Sequence, residues 1–190
     1  MSPFACHTES SLLLMIDVQE RFEAAIPSIG ADGPVGRSLA RLLQGTGLLG
    51  LPRVITRQYP KGLGDTVAHL REHLHSDSHR DVVLDKTHFS VLDDLPLREH
   101  LAATEAETII IAGIEAHVCI LASVADCCQR GYQVLVAGDA IASRNPQHCQ
   151  WASQAMQQMG ALVLPVESIL FRLQRQAGGD TFKALSSLVK

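Results

Sequence analysis

Thr108-Ile109-Ile110-Ile111-Ala112-Gly113-Ile114-Glu115-Ala116-His117-Val118-Cys119 is the stretch whose reading decides the fold. Its first half is a short, continuous apolar run. That suits a strand buried on both faces, as in a parallel sheet. Gly113 marks a turn, and the chain continues as a helix from Ile120 to Cys128. Cys119 thus falls at the mouth of a helix, where the positive end of the helix dipole favours thiolate over thiol.

Working outward, the same strand signal recurs at residues 12–16, 53–58, 81–86, 132–137 and 161–165. Helical patterns separate these runs, at residues 34–49, 66–75, 96–103, 147–159, 168–175 and 181–189. Residues 59–64 read as a loop from their Pro and Gly content. Strands alternating with helices imply an α/β class: a three-layer α/β/α sandwich with a mostly parallel six-stranded sheet. At 190 residues with no linker or repeat, one domain over residues 1–190 is expected.

The bulk composition removes several function classes. Hydrophobic residues at 46% exclude a disordered chain. A formal charge of -4 argues against a nucleic-acid or anionic-membrane partner. The longest apolar runs are too short to span a bilayer. No basic segment precedes the first apolar run, so no signal peptide is expected. Five cysteines in no regular framework suit free thiols in a cytoplasmic protein.

Right-handed crossovers place all strand C-terminal ends at one edge, where open α/β sheets bind ligands. Asp17, Lys86 and the turn from Gly113 to Cys119 each end an expected strand. Cys119 is a candidate nucleophile, Asp17 a base for its proton, and Lys86 a charge that steadies both. Backbone N–H groups of the turn, that of Cys119 included, could face an oxyanion. Taken singly, each residue has a blander role: Asp17 as a cap, Lys86 as a surface charge, Cys119 as a small hydrophobe. Their joint placement carries the reading.

The chain resembles the isochorismatase-like cysteine hydrolases, which include nicotinamidases and N-carbamoylsarcosine amidohydrolases. The resemblance rests on residues 14–22, on Asp85-Lys86-Thr87-His88-Phe89-Ser90, and on Ala112-Gly113-Ile114-Glu115-Ala116-His117-Val118-Cys119. With Gln58-Tyr59-Pro60-Lys61-Gly62-Leu63-Gly64, it points to the branch of isochorismatase domain-containing proteins. It implies the Rossmann-like hydrolase fold of that family, an Asp17–Lys86–Cys119 triad, and an amide-type C–N bond cleaved through a thioester. It also implies a cis peptide before Glu115 that turns the Glu115 and Cys119 N–H groups toward one oxyanion, and a homo-oligomer. Nicotinamidases carry metal-binding Asp and His residues in the loop after the second strand, which this chain lacks. Isochorismatases proper lack the nucleophilic cysteine, so Cys119 favours attack on a carbonyl.

Phe22, Tyr59, His88, Phe89 and His117 are candidates for contacting a small-molecule substrate. His69, His73, His75 and His79 cluster, with His69 and His73 at helical i, i+4 spacing. A closed tetrahedral site needs four ligands, so neither a metal nor another cofactor is expected. Asp139, just past the fifth expected strand, reads as structural, and Cys127 and Cys128 read as packing residues. The alternative functions are a redox-reactive thiol, or a binding protein that kept the pocket without catalysis.

Overall fold

The computed structural model describes residues 6–75 and 80–190. Six strands form one sheet: β1 (Ser11–Ile16), β2 (Arg53–Gln58), β3 (Asp81–Lys86), β4 (Thr108–Ile114), β5 (Gln133–Ala142) and β6 (Leu162–Leu164). Their spatial order is β3-β2-β1-β4-β5-β6, and every pairing is parallel. β1 and β4 are buried at every residue because helices cover both faces.

The two faces carry separate apolar layers. Leu13, Met15, Ile110 and Leu135 face one layer with α1 (Pro34–Leu48), α7 (Val166–Gln174) and α8 (Gly179–Val189). Leu12, Leu14, Ile109 and Ile111 face the other with α4 (Leu95–Ala103), α5 (Leu121–Gln129) and α6 (Pro146–Gln158). The strict alternation follows from the two-residue period of a strand. Asp139 lies within β5, where its Oδ1 accepts from the Val166 backbone at 2.8 Å and ties β5 to α7.

Three local expectations change. The 59–64 loop contains a helical turn, α2 (Pro60–Leu63), because Tyr59 takes a left-handed conformation and Pro60 presets the helix entry. The 66–75 helix shrinks to α3 (Ala68–Arg71), where Thr66 pairs with Gln19 in an isolated bridge. His69 and His73 therefore do not share one helix, and His79 lies outside the described residues. Cys119 sits inside a π turn, Ala116–Ile120, that runs into α5.

The chain leaves β1 for β2 and β3 on one side and places β4, β5 and β6 on the other. The order reverses between β1 and β4, the position at which such sheets open a ligand crevice. Gly113 makes this close approach possible. It pairs with Ile16, has φ +135, and a Cβ there would sit 2.1 Å from the Ile16 carbonyl oxygen.

Candidate active site

Three strands end in non-glycine residues forced into left-handed backbone: Asp17 after β1 (φ 57), Tyr59 after β2 (φ 39) and Glu115 after β4 (φ 52). Each conformation costs of order 1 kcal/mol or more. Three of the five described non-glycine residues with positive φ gather at this edge, and such strain clusters at active sites. The cis bond expected before Glu115 is absent: no described peptide bond is cis. The left-handed Glu115, following Gly113, makes the turn instead.

Asp17 is buried and held from two sides. Thr56 Oγ1 donates to Oδ1 at 2.7 Å, and Lys86 Nζ donates to Oδ2 at 2.7 Å. The Lys86 side chain is 0% exposed and that of Asp17 3%, so the pair is desolvated. Lys86 Nζ also donates to Gln58 Oε1 at 2.6 Å and to the His88 and Phe89 carbonyls at 3.2 and 3.4 Å. Gln19, fully buried, clamps the Gln58 backbone: it accepts from Gln58 N at 2.8 Å and donates to Gln58 O at 3.1 Å and Gly64 O at 2.7 Å.

Cys119 faces this pair with 7% of its surface exposed. Burial, then the Asp17 charge, push its thiol up to about 12, with Lys86 pulling the other way. The helix dipole's pull toward thiolate is thus opposed by burial and by the Asp17 charge. Ser123 Oγ donates to the Cys119 carbonyl at 2.7 Å and fixes the turn from below.

Glu115 is buried, and its Oε1 accepts from Arg144 N at 3.2 Å and Arg144 Nε at 3.1 Å. His117 pairs Nδ1 with Ser143 Oγ at 3.0 Å, and its ring lies 4.8 Å from that of His148. These contacts join the turn after β4 to the loop after β5.

The other candidates lie farther out. Tyr59 and Phe89 are 57% and 61% exposed, too open to wall a closed pocket within one chain. Phe22 packs against the apolar layer opposite Cys119. The His88 ring is exposed beside Asp94 at 3.4 Å, so His88 meets Lys86 through its carbonyl. A hollow of about 330 Å³ opens beside Lys86, with Tyr59, Lys61, Asp85, Thr87 and Asp94 on its walls. Among the described residues, no three metal-ligating side chains gather into a site.

Thr56, Gln19 and Gln58 were missed from sequence. A Thr or Gln inside or beside a strand looks like any polar edge residue, and only register reveals the contacts: Thr56 pairs with Ile16, and Gln58 with Lys86.

The sequence matches the model of the Isochorismatase domain over residues 11–168. Isochorismatase domain-containing protein 2A of Mus musculus is 35% identical over 182 residues, spanning 96% of this chain and 84% of the relative. The secreted isochorismatase effector Isc1 of Phytophthora sojae is 34% identical over 184 residues, spanning 95% and 85%. Among solved structures, the MAR1 ribonuclease from Caenorhabditis elegans superposes with a TM-score of 0.86 at 32% identity, covering 97% of this chain and 91% of that one.

Proposed function

The chain belongs to the isochorismatase family, and from that premise we propose that it is a cysteine hydrolase of small-molecule amides. The observation that carries the reading is the buried Asp17 carboxylate, paired with Lys86 and electrostatically coupled to the Cys119 thiol. Asp17 takes the Cys119 proton as Sγ attacks the carbonyl carbon. The carbonyl π electrons move to oxygen, where backbone N–H groups of the turn after β4 stabilise the charge. Collapse breaks the C–N bond, and the amine leaves with the proton from Asp17. Water then attacks the thioester, Asp17 accepts its proton and returns it to sulfur, and the acid is released. Lys86 holds the Asp17 carboxylate in place through its contact with Oδ2.

A thiol raised to about 12 is compatible with this sequence because the proton moves during attack. It works against a peroxide-sensing role, which needs a standing thiolate. The name of the Caenorhabditis elegans neighbour raises RNA cleavage as a second reading. Cys119 at 7% exposure and a net charge of -4 favour a small molecule over a polyanion.

The test is a panel of primary amides, ureido compounds, nicotinamide and a single-stranded RNA, run on wild type and Cys119→Ala. Amide turnover by the wild type, an acyl adduct on Cys119 and no turnover by the variant are expected. Full turnover by Cys119→Ala would sink the reading. A homo-oligomer is the expected assembly, which light scattering would detect. The Phytophthora relative is described as secreted, so kinship does not carry the cytoplasmic expectation.

A further inference from the structure

Lys86 has three N–H bonds and no more. Asp17 Oδ2 takes one at 2.7 Å, Gln58 Oε1 takes one at 2.6 Å, and the His88 and Phe89 carbonyls share the third at 3.2 and 3.4 Å. These acceptors hold the ammonium between Asp17 and Gln58, within hydrogen-bonding reach of the Cys119 thiol. The Gln58 amide cannot turn over to present nitrogen instead, because its Nε2 donates to the Thr87 carbonyl at 2.8 Å. Gln19 holds the Gln58 backbone in turn, and Gln19 lies two residues beyond Asp17. Asp17, Gln19, Gln58 and Lys86 therefore close a ring across the ends of β1, β2 and β3.

We infer that Gln58 is a positioning residue: its neutral amide oxygen fixes the Lys86 ammonium against Asp17 and beside Cys119 as a static charge. Neutrality is the essential property. A carboxylate at this place would accept the same hydrogen bond but share the Lys86 charge, leaving Asp17 and Cys119 less of it. An apolar side chain of the same length would leave the charge intact and remove the anchor. The two substitutions therefore act on Cys119 differently, which a mere packing role would not produce.

The inference rests on the hydrolase reading for its kinetic consequence only. Its main readout is the rate at which iodoacetamide alkylates Cys119 at pH 8, followed by mass spectrometry of the Cys119 peptide. Gln58→Glu is expected to slow alkylation about three- to tenfold, because added negative charge disfavours thiolate. Gln58→Met is expected not to slow it. Equal slowing in both variants, or no change in Gln58→Glu, overturns the inference.

Should Gln58→Glu fail to fold, all five cysteines would react together, and Gln58→Met decides by a second measurement. Lysine-selective ¹⁵N NMR is expected to show a slowly exchanging Lys86 ammonium in the wild type that broadens in Gln58→Met. An unchanged resonance overturns the inference. If an amide substrate emerges from the panel, kcat falls at least tenfold in both variants with KM nearly constant. Absence of any substrate would sink the hydrolase reading and leave the alkylation and NMR results standing.

Discussion

Two buried ion pairs occupy opposite ends of the sheet. Arg53 and Asp81 are the first register partners of β2 and β3, with side chains 3% and 2% exposed. Lys86 closes β3 at the other end and reaches Asp17, with side chains 0% and 3% exposed. Both pairs are equally dry, yet they are built differently. The Arg53 fork grips both oxygens of Asp81 and also donates to the Leu43 carbonyl at 2.7 Å. The His75 backbone N–H adds to Asp81 at 2.6 Å. That carboxylate is gripped by a planar fork and has nothing to exchange a proton with. Asp17 instead meets one hydroxyl and one ammonium, each on a single oxygen, and lies beside a thiol. Saturation and neighbours, rather than burial, separate a structural clamp from a reactive group.

The largest effects break this contrast outright. Lys86→Met is expected to lower amide turnover at least a hundredfold, measured per folded molecule. Arg53→Met leaves turnover per folded molecule unchanged and lowers unfolding stability by about 3–5 kcal/mol, the cost of orphaning a buried charge, read by denaturant titration. Loss of activity in folded Arg53→Met would show that the clamp also serves the site.

A sharper probe touches Asp17 through one oxygen. Thr56→Val removes the donor to Oδ1 with little change of shape. Turnover should fall about tenfold and stability by about 1–2 kcal/mol, the usual cost of an unsatisfied buried acceptor. An unchanged rate would mean that Lys86 alone positions Asp17.

The smallest expected effect concerns pH. Burial pushes the Cys119 and Cys127 thiols up to about 12, from an ordinary value of 9.0. The folded state holds these protons more tightly than the unfolded chain does. Their contribution to stability is therefore full below pH 9 and is lost as pH rises toward 12. Denaturant midpoints should decline across that window, and less steeply in Cys127→Ala. An equal slope in that variant would assign the decline to other groups.

The apolar runs made the sheet readable. β1 and β4 are buried throughout, so their sequences carry little but Leu, Ile, Met and Ala, and the alternation with helices fixed a parallel sandwich. Asp17, Lys86 and Cys119 stood out because each closes or follows such a run. The short helices did not follow their patterns, because α3 begins only after the Gln19–Thr66 bridge and α2 depends on left-handed Tyr59. The hydrogen-bond ring through Gln19 and Gln58 was invisible, since it depends on strand register. The upward push on the thiol was hidden for a related reason: the helix dipole is a local property, while burial beside Asp17 comes from residues about a hundred positions away.

That last point supplies the most direct test of the central claim, that the resting site is a thiol waiting on Asp17. Iodoacetamide should alkylate Cys119 slowly at pH 8 in the wild type. Its rate should keep climbing as pH rises past 9, because burial and the Asp17 charge push the thiol up to about 12. A rate that levels off at or below pH 8 would contradict the account, because it would mean that the resting site already holds a thiolate.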